Sequence, residues 1–169
     1  AFYLLFVGLA LWGVIRSRRL PAIVDMSNSR SEVGETRASP RRVDILLWLG
    51  LGATASTLLL ATTSHITQEV AVIPFLWVLP LAIYLLSFII AFSGERWYSR
   101  QFFLPAFFVS TLLAGWAMGR SEDLAIGLQI GIYSLTLFCA CMICHGELFR
   151  LRPHPSFLTV FYLYVSIGG

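Results

Sequence analysis

Four long apolar runs restrict this chain more than anything else in it: residues 45–63, 74–92, 102–118 and 124–143. None contains Asp, Glu, Arg or His. Each approaches the about 20 residues that a helix needs to cross a bilayer. The third is short, so it recruits Gln101 or stands without tilt. Two further apolar stretches, 1–15 and 157–169, stop short of a full span and read as spans cut by the limits of the chain. The first is not a signal peptide, because its arginines follow the apolar stretch instead of preceding it. The expected fold class is all-α: a polytopic transmembrane helix bundle of about six helices, the first and last truncated. Composition agrees. Hydrophobic residues make up 57% and charged residues 12%, against roughly 25% charged in a soluble domain. That excludes a disordered chain, a nucleic-acid-binding module and a soluble globule.

The charges then orient the bundle. All twelve basic residues are Arg. Arg16, Arg18, Arg19, Arg30, Arg37, Arg41 and Arg42 fall between 1–15 and 45–63; Arg96 and Arg100 lie between 74–92 and 102–118. Arg150 and Arg152 lie between 124–143 and 157–169. Only Arg120 falls in a loop of the other parity. Eleven of twelve arginines therefore share one side, which the positive-inside rule makes cytoplasmic. Loops 16–44, 93–101 and 144–156 are expected there, in an inner (cytoplasmic) membrane. Residues 16–44 have the polar composition of a solvated linker.

Small residues four apart let membrane helices approach closely. Gly52 and Ser56 form one such pair; Ala106, Ser110 and Ala114 form a longer face; Gly127 and Gly131 form a G-x-x-x-G. Pro80, inside 74–92, is expected to kink that helix. Ser121, with Glu122 and Asp123, is suited to start the helix that follows. Trp48, Trp77, Trp97, Trp116, Tyr98 and Tyr162 lie mostly near span ends, at headgroup level.

Candidate chemistry is sparse. Cys141-Met142-Ile143-Cys144-His145 spells C-x-x-C-H, the pattern of covalent haem attachment. Its expected position, half in a span and facing the cytoplasm, opposes that use. Cys141, Cys144 and His145 are weak zinc candidates, since Cys139 and Cys141 point to nearly opposite sides of one helix. Buried structural cysteines are the plainer reading. His65, at the outer end of 45–63, is a weak pigment or haem ligand; a boundary residue bonded to backbone or to Glu69 is the plainer one. No cofactor is expected beyond lipid. The complete spans lack the ionisable residues that mark ion pathways, and Gln129 is the most polar group at depth. There is no phosphate-cradling glycine loop and no nucleophile–base set. Glu147 and Arg150, three apart, can pair on one helical face. With Arg152 they can contact lipid phosphate or a partner's acids.

Two stretches carry a family resemblance. One is LLWLGLGATASTLLLATTSHITQEVAVIPFLWVLPLAIYLLSFIIAF, residues 46–92; the other is CHGELFRLRP, residues 144–153, followed by FLTVFYLYVSIGG. Together they resemble the membrane part of bacterial spermidine-synthase-like proteins, described as fused major-facilitator-like and spermidine-synthase-like chains. His65, Gln68, Glu69, His145, Gly146, Glu147, Arg150 and Arg152 match that pattern, and no catalytic residue carries over. The resemblance implies a longer protein with an aminopropyltransferase-like domain. The expected role of this segment is non-catalytic: a scaffold or anchor that contacts lipids and other membrane subunits. The alternatives are an accessory subunit of an electron-transfer or photosynthetic complex holding lipid or pigment, and part of a transporter for a neutral or polyamine-like solute.

Overall fold

The computed structural model describes residues 42–70, 74–94, 98–120 and 124–169. These residues are helical almost throughout, with no strand among them. The expected span 1–15 and most of the linker lie outside the described residues. Among the described residues five α-helices are seen: α1 (Arg42–His65), α2 (Val78–Ser93), α3 (Arg100–Met118), α4 (Ile126–Arg150) and α5 (Leu158–Gly168). Helices α1, α3 and α4 are long and apolar enough to cross a membrane; α2 and α5 are apolar but shorter.

The helices start and stop where local chemistry allows. Helix α1 begins three residues before the apolar run, with Asp44 in its first turn, where a carboxylate opposes the positive helix end. Residues 42–44 are therefore helix, not linker. Its far end widens into a π turn, Ile66–Val70. There the Thr63 and Thr67 hydroxyls donate to the carbonyls of Leu59 and Thr63, each at 2.7 Å; such back-bonding bends helices. Phe75, at φ 66°, turns the chain toward α2, which is preceded by bonds from Val78 N–H to Phe75 O and from Leu79 N–H to Leu76 O.

One expectation about a helix interior is corrected here. Pro80 occupies the first turn of α2, where its missing N–H had no helical partner to lose, so it is not an interior kink. The interior proline is Pro105 in α3, which deprives the Gln101 carbonyl of its helical donor. Ser121 to Asp123 lie outside the described residues, and the residue immediately before α4 is Ala125, with no side-chain cap.

Helix α4 is the centre, packed against α1, α2 and α3, while α5 lies along α1. In its most apolar stretch 56% of residues are buried, against 17% for α1 and α3. Two apolar clusters set the up-and-down order. Trp48, Leu148 and Phe161 join the start of α1, the end of α4 and the start of α5. Ile66, Ala114, Ala117, Ile132 and Tyr133 join the opposite ends of α1 and α3 to the start of α4. Arg42, Arg100, Arg150 and Arg152 accordingly share the first end of the bundle, and Arg120 lies at the other.

The small-residue faces divide. Ser110 and Ala114 are buried against α4, with Ala106 half-buried beside them, and the Thr136 hydroxyl donates to the Ser110 carbonyl at 3.1 Å. At Gly52 an added Cβ would stand 3.0 Å from the Val165 carbonyl, and Gly169 lies against Ser56. Gly168 is pressed on the Leu49 backbone. Gly127 and Gly131 differ: both are exposed, with nothing within 4 Å of an added Cβ. Among the described residues this G-x-x-x-G meets no helix.

Candidate functional site

The polar side chains gather where α4 ends. Five consecutive residues, Cys144 to Leu148, each have a defined surrounding, and four elements supply it.

His145 comes first. It is 2% exposed, and its Nδ1 lies 3.1 Å from Ser87 Oγ on α2. Ser87 donates to the Tyr84 carbonyl at 2.8 Å. With that proton committed, the Nδ1–H tautomer of His145 donates to the Ser87 oxygen. The rings of Tyr84 and Phe88 meet the imidazole edge-to-face, at 4.9 and 5.3 Å. A Ser–His distance of this size resembles a nucleophile–base pair. Here both side chains are sealed from solvent and the serine proton points to backbone. The pair is a helix-to-helix tie, which removes the cost of a lone polar group in an apolar interior. Ser87→Ala is expected to cost about 1 kcal/mol in detergent unfolding, with far-UV helicity unchanged.

The thiols do not face water. Cys139, Cys141 and Cys144 are free and buried, and Cys141 is within hydrogen-bond reach of Ser87. The expected cytoplasmic exit of the C-x-x-C-H segment is thus corrected: α4 continues to Arg150 and carries the whole motif inside the bundle. Among the described residues no three His, Cys, Asp or Glu side chains converge as metal ligands would.

Gly146 allows the next contact. The Tyr98 ring occupies the space where a Cβ would be, and any side chain at 146 would overlap Tyr98 Cγ. Seated there, Tyr98 donates its hydroxyl to Glu147 Oε1 at 2.9 Å. Arg100 Nε and Arg150 Nη1 stand 3.7 and 3.8 Å from the same oxygen. Leu148 then enters the Trp48–Phe161 cluster. Trp48 is 1% exposed, and its Nε1–H donates to the Leu151 carbonyl at 3.0 Å. It is a core residue and not a headgroup anchor. Trp77 and Trp116, by contrast, are exposed at the other end of the bundle.

Burial, and then the negative charge of Glu147, raise the Tyr98 phenol above its ordinary value of 10.0. The folded chain therefore keeps this proton at a pH where the unfolded chain loses it. The contribution of this group to stability is expected to be full below pH 10 and to be lost progressively as pH rises above it. Tyr98→Phe is expected to flatten that alkaline decline and to lower stability at neutral pH; parallel alkaline slopes in the two proteins would refute the assignment.

His65 lies apart from this end. Its ring meets Tyr133 edge-to-face at 4.6 Å, next to Ile66 in the opposite cluster. Gln129, at the start of α4, is buried and donates to the Leu124 carbonyl. The structure thus brings together His145, Gly146, Glu147 and Arg150 and leaves His65 at the far end. Sequence reasoning missed Tyr98, Ser87 and Trp48 as partners of this segment. No sequence signal marked the close approach at Gly146, which fell beyond the expected end of the helix at residue 143.

An open cleft of about 490 Å³ lies between α1, α2 and α5, with Ser56, Tyr84, Phe88, Tyr162 and Ser166 on its walls. Tyr84 and Phe88 separate it from His145. No protein-family model, curated protein or solved structure matches this chain.

Proposed function

We propose that this chain is a non-catalytic polytopic module of a bacterial inner membrane, belonging to a spermidine-synthase-like protein and serving as a scaffold or anchor. Its arginine-bearing end faces the cytoplasm, as the positive-inside rule requires. One observation carries the role: every residue from His145 to Leu148 is engaged in tying helices together. A polar motif used wholly for helix contacts builds a rigid platform, and rigidity at one membrane face suits the holding of a partner domain.

The test has two arms. Single cysteines at Ser156 and Gly119, on an otherwise cysteine-free chain, report sidedness to an impermeant maleimide in cells. Labelling of Gly119→Cys alone from outside is expected; labelling of Ser156→Cys from outside inverts the orientation. A photo-crosslinker at Ser156 is then expected to capture a protein in native membranes, and one at Gly119 is not. Capture at neither position defeats the scaffold reading. A second reading, a path for a neutral solute, draws on the hydroxyl-bearing cleft. Flux in proteoliposomes that Tyr84→Phe reduces would favour it instead.

A further inference from the structure

We propose that Arg150 and Arg152 form a binding site for the phosphate of an anionic phospholipid. The inference rests on the membrane reading, though not on the scaffold role. The geometry begins with Glu147. Tyr98 already supplies its short hydrogen bond, and Arg150 stands 3.8 Å away with its side chain 57% exposed. That separation is an ion pair without a hydrogen bond, so the donors of Arg150 stay open to a second acid. Arg152 lies over the Phe149 ring, 4.2 Å from its centroid. A guanidinium held over a ring keeps N–H donors that can reach a planar or tetrahedral anion. Among the described residues Arg152 has no carboxylate within ion-pair distance.

The backbone that carries the two arginines is anchored. Leu151, between them, donates its N–H to the Glu147 carbonyl at 3.0 Å and accepts from the Trp48 indole. Both cations therefore project from an anchored helix end. Counting described residues, this end holds Arg42, Arg100, Arg150 and Arg152 against Asp44 and Glu147, a surplus of two positive charges. The ligand chemistry that fits is a phosphodiester, which accepts two parallel N–H bonds from an Arg fork. The lipid form is favoured by position. The arginines stand where an apolar helix meets water, and Phe102, exposed at the same end, offers acyl chains a surface.

The experiment uses the whole chain in nanodiscs of phosphatidylcholine containing a minor fraction of phosphatidylglycerol. Native mass spectrometry reads the phosphatidylglycerol retained on release. Wild type is expected to enrich it, and Arg150→Gln with Arg152→Gln to bind it about 25-fold more weakly, at about fivefold per arginine near a membrane surface. Arg120→Gln, which removes one positive charge at the other end, is expected to retain wild-type enrichment, while Arg150→Gln or Arg152→Gln alone is expected to weaken it about fivefold. Arg150→Lys with Arg152→Lys retains charge and loses the fork, so an intermediate loss is expected and shows that a folded protein responds. Equal enrichment in wild type and the double Gln variant would overturn the site. So would displacement by soluble glycerol phosphate at concentrations matching the lipid, which would mark a free-anion site. Loss of a cross-linked acidic protein with lipid enrichment unchanged would also overturn it. Incorporation of every variant into nanodiscs leaves the membrane reading standing whichever way the site falls.

Discussion

Gly146→Val is expected to lower stability by about 3 kcal/mol and to broaden the unfolding transition in detergent. Two terms combine. A Cβ at 146 overlaps the Tyr98 ring, and forced overpacking typically costs about 1–3 kcal/mol. Displacing the ring also breaks the Tyr98–Glu147 bond, and hydrogen bonds to charged groups contribute about 1.5–3 kcal/mol. Tyr98→Ala in the same chain should rescue most of the steric part, so the two substitutions should couple strongly. Strict additivity would show that the ring is not the obstacle. Gly131→Ala supplies the contrast. Nothing lies within 4 Å of its Cβ position, so the better helix former should be neutral or stabilise by about 0.5 kcal/mol.

Trp48→Ala is the second large effect, with an expected loss of about 3 kcal/mol from emptying a buried aromatic site. The indole meets Phe161 edge-to-face at 5.2 Å and packs with Leu148, so its removal loosens α1, α4 and α5 together. Trp48→Phe keeps a ring beside Phe161 and loses the bond to the Leu151 carbonyl and part of the packed indole, about 1–2 kcal/mol together. Trp116→Ala, on the exposed face of α3, should change stability by less than about 0.5 kcal/mol. If Trp48→Ala and Trp116→Ala cost the same, Trp48 is an interfacial anchor and the junction described above is wrong.

These contrasts show what could be read from residues in order. Apolar length placed α1, α3 and α4 to within a few residues at most ends, because hydropathy accumulates along the chain and needs no partner. The end of α4 was missed by seven residues. His145, Gly146 and Glu147 look like an exit from a membrane until Ser87 and the Tyr98 ring are seen against them. Pro80 lost its expected role because a proline's effect depends on its distance from the helix start, and the turn at Phe75 moved that start to Val78. Trp48 and Trp116 have the same chemistry near a helix end; one is core and the other exposed.

The glycines make the same point. Gly127 and Gly131 carry the familiar small-residue spacing and face outward, whereas Gly146 and Gly168 carry no such pattern and touch neighbouring helices most closely. By itself the sequence determined that the described residues are helical, which of their runs suit a membrane, and which of their arginines lie at each end. Tertiary structure alone decided which residues meet. The reason is that these helices are apolar around most of their circumference. Such a helix has no marked face, so its rotation and axial register are set by shape and by the few polar groups that must find each other.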